Sequence, residues 1–522
     1  MKEILKYLIL FLLILILAIA ARFLRLDLRP MHTDEAVHGL KFGELLENGA
    51  YRYDRTDYHG PTLNYFTLIH ASLRRENLIT EIDERLLRSV PAFFGVALLA
   101  LMLLLAGSLG RRYVLISAIF IALSPQLVFY SRYYIQEILL VFFNAALIIS
   151  LFRYFLKPSY GWAIAAGVSA GLMAATKETW VIFAVIQALT LASIIFWQNG
   201  FSGGLEMMKK FPGRRDFWII PFVAVIIFSS FITSFFTNIQ ALADSLYFYL
   251  NNISRASGGT PHENPWWFYL SLFAGQSEGS APFRSDLWLG AGAAAGIFFL
   301  FRGKSALTPG RIFMLTAGIS SFASLIFFSI LPYKTPWSIL CVTTGLIFPA
   351  VWLVETGKGR TAKIILWSAA VLFILHSVWQ IYADNFKNYD NPSNPLVYSH
   401  PQEDVRIISD KVHDIFGKMK GEEGFYIDII VGKNEYWPMP WYLRDISRSG
   451  WFDRVQENVP AAPFILAQTT DPDLGRKLYE VPPPGERYLY ITLFDEYLEL
   501  RPGVKVNLFL RKDWFDRYVK SE

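Results

Sequence analysis

The chain has 522 residues, 53% of apolar types and 18% charged, with a formal charge of +5. Ordinary soluble domains carry about 25% charged residues; the apolar residues here also gather in long runs, which excludes a soluble, a fibrous or a disordered protein. Residues 383–522 hold 18 Lys+Arg and 23 Asp+Glu, leaving 31 basic and 21 acidic residues in 1–382, so a basic membrane part precedes an acidic tail, a pattern of positive loops on one membrane face rather than of nucleic-acid binding.

Ile4 to Ala21 is an almost unbroken apolar run, long enough at ~1.5 Å per residue to approach a hydrocarbon core of ~30 Å. A secretory signal is the alternative reading, but "RFLRLDLRP" follows the run instead of a small-residue cleavage site. Further apolar stretches fall at 87–108, 113–130, 136–156, 161–177, 179–197, 217–236, 287–302, 312–332, 335–354 and 363–382. With the first they predict eleven membrane helices, of which 113–130 and 161–177 are short enough to be tilted or broken. The single cysteine, Cys341, lies in one of these stretches and allows no internal disulfide.

Lys and Arg set the expected orientation. With Lys2 and Lys6 in the cytoplasm, every inside loop is basic: Arg111 and Arg112, Arg153 and Lys157, Lys209 to Arg215, Arg302 to Arg311, and Lys358 to Lys363. The outside segments are then the first loop 23–86, "SRYYIQE", "TKET", the fourth loop 237–286, "LPYKTPW" and everything after Tyr382. The expected domains are a membrane part, 1–382, and an extracytoplasmic α/β domain, 383–522. That tail begins with a polar, Pro-containing linker, "DNFKNYDNPSNPLVYSHP". A helical pattern, "EDVRIISDKVHDIFGKM", follows. The runs "GFYIDIIVG", "RYLYITLF" and "VKVNLFL" read as strands.

The unusual polar residues collect on the outside. Asp34, Glu35, His38, Tyr58 and His59 are in the first loop, Arg132 and Glu137 flank the second, and Lys177 and Glu178 form the third. His262 and Glu263 are in the fourth loop and Lys334 is in the fifth. Ionisable groups at membrane-helix ends are functional candidates unless they only anchor the ends at the interface. "TDEAVHGLKFGELLENG" predicts a helix with Thr33 as N-cap and a stripe of Ala36, Val37, Leu40, Leu45 and Leu46, lying in the membrane interface with Asp34 and His38 on one face. Arg132, Lys177 and Lys334 place a cation at three outside helix ends. A divalent metal on Asp34, His38 and His59 is the rival reading, although "HTDEAVH" is not the H-E-x-x-H pattern and no cysteine assists.

The motifs "HTDEAVHG", "YDRTDYHGP", "SRYYIQE", "TKET", "HENPWW", "YKTPW" and "PMPWYLRD", in this order along the whole chain, resemble the GT-C superfamily of membrane glycosyltransferases. Protein O-mannosyltransferases and lipid A aminoarabinose transferases belong to that superfamily, and the nearest likeness is to a prokaryotic family called flippase activity-associated proteins. The resemblance implies inverting transfer of a sugar from a polyprenyl-phosphate donor to a protein, lipid or glycan hydroxyl on the outer membrane face. No cofactor is required on this reading. It implies Asp34 as the base, with Glu35 second; Arg132, Lys177 and Lys334 are then the cations expected on the donor phosphate, and His38, Tyr58, His59, Glu137, Glu178, His262 and Glu263 the orienting groups. The second loop offers only Glu137 where oligosaccharyltransferases carry a metal-binding acidic motif, and "PWWFYL" stands in the wrong loop for their W-W-D-type motif. A transporter or flippase component for lipid-linked glycans is the alternative. It would call for Gly/Pro-broken helices and charges near the bilayer midplane.

Overall fold

The computed structural model describes residues 2–54, 59–210, 212–256, 263–275, 284–302, 307–419, 422–456, 461–479 and 488–521. Its first helix, Lys2–Phe23, shows how the bundle is built. Tyr7, Phe11, Ile14, Ala18 and Arg22 are buried. They recur every three or four residues, one stripe of a helix, while Leu5, Leu8, Leu12 and Leu17 remain exposed for lipid to cover. Among the described residues, eight helices are long and apolar enough to cross a membrane. A bent pair, Arg111–Ala122 with Pro125–Ser131, makes a ninth, and Tyr160–Ala174 and Leu287–Arg302 are shorter apolar helices. Together they occupy all eleven expected stretches. The protein is a polytopic α-helical membrane protein with a small C-terminal sheet domain.

The bend of 58° between Arg111–Ala122 and Pro125–Ser131 has a local cause. Pro125 has no N–H to offer the carbonyl four residues back. The Arg22 guanidinium supplies the missing donors, to Ile121 O at 3.1 Å and Ala122 O at 2.9 Å. Arg132, just past the bend, returns the favour to the end of the first helix, donating to the carbonyls of Arg22 (3.2 Å), Leu24 (2.7 Å) and Arg25 (3.1 Å). Close packing elsewhere depends on small residues. A Cβ on Gly167 or Gly171 would sit 2.7 Å from Ile220 O or Ala224 O, so Tyr160–Ala174 and Ile219–Ile232 meet almost backbone to backbone.

The tail forms a six-stranded mixed sheet of β1 (Ile427–Ile430), β2 (Ser449–Phe452), β3 (Phe464–Gln468), β4 (Tyr490–Thr492), β5 (Leu498–Arg501) and β6 (Val504–Arg511). Its order is β2-β1-β3-β6-β4, with β5 also on β6. The β1 pairings to β2 and β3 are parallel, and every pairing to β6 is antiparallel. The helix Asp404–Lys418 covers it with Val405, Ile408, Val412 and Ile415, all buried. The stretch read as a linker is no free tether: Leu396, Val397 and His400 are buried, and Tyr130 donates to Leu396 O at 2.9 Å. The tail also grips the first loop. Arg406 donates to the carbonyls of Asp27 and Leu28, Arg444 to those of Ile79 and Ile82, and Trp441 Nε1 to Glu84 at 3.0 Å.

Candidate active site

The site is built on the helix Thr33–Asn48. Its N-cap is His32, not the expected Thr33. His32 Nδ1 accepts from Asp34 N at 3.1 Å, and Glu35 reaches back to His32 N at 2.9 Å, which closes a capping box. With Nδ1 accepting, Nε2 carries the proton and donates to Tyr398 O at 2.9 Å. The helix is clamped between bundle and tail: a Cβ on Gly39 would meet the Trp441 ring at 2.7 Å, and one on Gly43 would meet Ile79 at 2.7 Å. The buried face includes Ala36 and Leu45 of the expected stripe together with Glu35, His38, Gly39, Lys41, Phe42 and Gly43, and Leu40 and Leu46 pack against the core at its edge.

Glu35 is fully buried and fully bonded. Oε1 accepts from Arg88 Nε (2.7 Å) and Tyr134 N (2.8 Å), and Oε2 from Arg88 Nη2 (2.7 Å) and His32 N. Burial alone would raise its pKa, but the Arg88 charge outweighs burial and holds it at about 2. The remaining Arg88 donors bind the carbonyls of Leu26, Arg29 and Pro30. Glu35 thus has no lone pair left to take a proton, and its expected role as second catalytic carboxylate is corrected to that of a structural clamp.

Asp34, one residue earlier, is its opposite. Its side chain is 47% exposed and meets His32 Nδ1 only at 4.0 Å. Burial pushes its pKa up, but the positive field of its neighbours, the Lys177 ammonium among them, outweighs this and holds it below the usual carboxylate range. Around it the expected loops converge. His59 Nδ1 lies 3.0 Å from Glu178 Oε2, and its attraction overrides burial to keep the Glu178 carboxyl at about 2. Lys177 Nζ donates to Glu137. Burial would lower the Lys177 pKa, but Glu137 and Glu178 reverse that and raise it, so the ammonium stays charged. The His38 ring packs 6.1 Å from that of His59, and burial drops its pKa to about 3. It is neutral, with Gln136 Nε2 3.4 Å from its Nδ1. Tyr333 and Tyr398 both feel the Asp34 charge, and Tyr333 that of Lys177. Phe248, from the helix Ala241–Ala256, stands edge-on to His59 at 6.4 Å.

Two of the three expected phosphate cations are held elsewhere. The Arg132 guanidinium is buried on the end carbonyls of the first helix and faces the Phe386 ring at 5.0 Å. Lys334 is 2% exposed. Its ammonium donates to Asn264 O at 2.8 Å and to Leu331 O, stitching the fourth and fifth loops together beside a bridge between Glu263 and Tyr333. Glu263 therefore takes a place in that bridge, and Lys177 alone of the three cations joins Asp34. Tyr58 and His262 lie outside the described residues. Among the described residues no three His, Cys, Asp or Glu side chains are grouped to hold a metal ion.

The family described as dolichyl-phosphate-mannose-protein mannosyltransferase matches residues 12–243. No curated protein matches the chain by sequence. Among solved structures, ArnT from Cupriavidus metallidurans bound to undecaprenyl phosphate is 12% identical, with a TM-score of 0.63 over 97% of this chain and 98% of that one. The S. cerevisiae protein O-mannosyltransferase Pmt1-Pmt2 complex, bound to the sugar donor, is 11% identical, with a TM-score of 0.56 over 78% of this chain and 92% of that one. The Archaeoglobus fulgidus oligosaccharyltransferase, tethered with an acceptor peptide, is 13% identical, with a TM-score of 0.53 over 89% of this chain and 69% of that one. The chain has the GT-C glycosyltransferase fold.

Within that GT-C frame, sequence reasoning missed Arg88, Tyr134, Tyr333 and Tyr398. Arg88 carried a signal: it is a charged residue one turn into a membrane span, and such a charge needs a buried partner. The amide of Tyr134 and the placements of Tyr333 and Tyr398 carry none, since they arise from how separate loops stack.

Proposed function

We propose that the protein transfers a sugar from a polyprenyl-phosphate donor to an acceptor hydroxyl, with Asp34 as base. The observation that carries this reading is the half-exposed Asp34 at the end of the bundle where Lys177 is held on Glu137 and Glu178 on His59, close enough for the Lys177 charge to act on its carboxyl. The acceptor O–H gives its proton to Asp34 as its oxygen bonds to the anomeric carbon. The bond from that carbon to the phosphate oxygen breaks, and the electron pair leaves with the polyprenyl phosphate. Displacement is single and inverting. The Lys177 ammonium keeps donors beyond the one given to Glu137 and offers them to the phosphate oxygens. Burial pushes the Tyr333 hydroxyl up to about 12, so it keeps its proton as a further donor. His59, braced by Glu178, and the neutral His38 orient the acceptor.

Support comes from the comparisons. The matched family span, 12–243, contains Asp34, His38, His59, Glu137, Lys177 and Glu178, and similar folds are described with undecaprenyl phosphate, a sugar donor or dolichol-phosphate bound. The Lys/Arg distribution supports an orientation with this end of the bundle outside and the N-terminus in the cytoplasm. No metal or other cofactor is required on this reading, because Lys177 supplies the positive charge and phosphate is already a good leaving group. The test is turnover by the purified protein with polyprenyl-phosphate sugars and candidate acceptors. Asp34→Asn should lower kcat by ~10²–10⁴-fold, the usual worth of a positioned general base, and a chelator should leave the wild-type rate unchanged. Normal turnover by Asp34→Asn would remove Asp34 from this role.

A further inference from the structure

A cavity of about 550 Å³ opens among the end of the first helix and the helices Thr62–Arg74 and Glu84–Met102, and no residue of the Asp34 rim lines it. Its polar walls are Arg25, Asp27, His70, Arg74, Arg85 and Ser89. Three guanidiniums therefore face one carboxylate. Asp27 is paired to Arg85 at 2.8 Å, and Arg74 is paired to Glu76 and Asp83 outside the hollow. Arg25 is exposed and its guanidinium makes no hydrogen bond or ion pair among the described residues. The end of a helix would ordinarily repel an anion, but Arg132 already covers the terminal carbonyls of Leu24 and Arg25.

The surroundings fix the depth in the bilayer. Leu24, Ile69, Leu73 and Phe93 are 57%, 58%, 79% and 61% exposed, an apolar skirt on the same three elements. Phe93 belongs to a membrane-spanning helix and Arg85 to its first turn. The hollow thus lies where hydrocarbon gives way to headgroups, and its size is that of a small-ligand site. Ser89 Oγ gives its own proton to Leu86 O at 2.6 Å, so the 2.7 Å contact with His70 Nδ1 must carry the histidine's proton. His70 Nε2 is then an acceptor, suited to a headgroup hydroxyl.

We propose that this hollow is a binding site for an anionic, hydroxyl-bearing glycerophospholipid, its phosphate on Arg25 and Arg85, its headgroup hydroxyl on His70 and its acyl chains along Ile69, Leu73 and Phe93. The site stands apart from the donor site and does not depend on the transferase reading. Native mass spectrometry of the full chain, released from detergent with added phosphatidylglycerol or phosphatidylcholine, tests it. Phosphatidylglycerol should be retained at least about tenfold better, in keeping with charge-assisted contacts. Arg25→Gln should erase most of that preference with an unchanged melting temperature, since Arg25 is exposed and unpaired, and Leu73→Gln should weaken both lipids. Equal retention of the two lipids by the wild type would overturn the proposal, as would undiminished preference in Arg25→Gln. Equal competition by water-soluble glycerol 3-phosphate would assign the hollow to a free phosphate and overturn it too.

Discussion

Asp34 and Glu35 are adjacent carboxylates in one helical turn, yet they sit in opposite environments. Glu35 is sealed, accepts four hydrogen bonds and neutralises Arg88. Asp34 is half open and faces its cations across space. Successive helix positions are about 100° apart, so one residue's step turns a side chain from the packed interior toward the rim. The pair separates two tasks: one acid fixes the loop, and its neighbour is then held where a reacting group is needed. A reactive carboxylate must keep an unshared lone pair, and a structural one must not.

The strongest way to break this contrast is Arg88→Leu. It leaves the Glu35 charge buried and unpaired, which should cost ~3–5 kcal/mol of stability and abolish ordered packing of residues 26–35. Asp34→Asn should lower the melting temperature far less, because its half-exposed carboxylate loses only attraction across space. If both variants melted alike, the separation of roles would fail. Acid should act through this clamp and through the His59–Glu178 pair. Glu35 and Glu178 are depressed to about 2 in the folded protein, against about 4.3 for a free glutamate. Their stabilisation is therefore complete above the unfolded value and is lost as pH falls from about 4.3 toward 2. The melting temperature measured across that window should decline, and Glu178→Gln should flatten part of the slope. A melting temperature independent of pH there would show that neither carboxylate is stabilised by folding.

How much of this was legible in the sequence follows from range. All eleven membrane stretches and three of the six strands could be read, because hydrophobic runs and local alternation are short-range signals. Of the missed strands, β2 and β3 pair with strands some distance along the chain, whereas β5 lies next to its partner β6 and is a short edge segment, "LELR", with little apolar alternation. The gathering of Asp34, His59, Lys177 and Glu178 followed from loop parity. The fates of Glu35, Arg132 and Lys334 did not, because each is decided by a backbone carbonyl or a buried partner that only packing supplies. Charge marked them as unusual but could not tell a clamp from a ligand.

Lys177→Gln sharpens the comparison on the reactive side. Hydrogen bonds from a charged donor are worth ~1.5–3 kcal/mol, so kcat/KM for the lipid donor should fall by ~10–10²-fold. Glu137 would lose its partner in the same variant. Glu137→Gln therefore serves as the control: it keeps the ammonium and should retain most of the donor's kcat/KM. Similar losses in both variants would mean that the ion pair, rather than the cation, is what matters.

The smallest expected effect lies at the tail. Arg444 donates to Ile79 O at 3.1 Å and Ile82 O at 2.7 Å and lies 4.0 Å over the Trp441 ring. That ring in turn presses on Gly39, one residue past His38. Arg444→Gln removes the carbonyl contacts but keeps Trp441 and its bond to Glu84, so the helix bearing Asp34 is loosened rather than displaced. The loss should be ~1–2 kcal/mol of stability and a few-fold in kcat, with KM for the donor little changed, because Lys177 belongs to the bundle and not to the tail's grip. A selective rise in donor KM would instead place the tail at the donor site, and the division between a clamped loop and an open rim would then have to be redrawn.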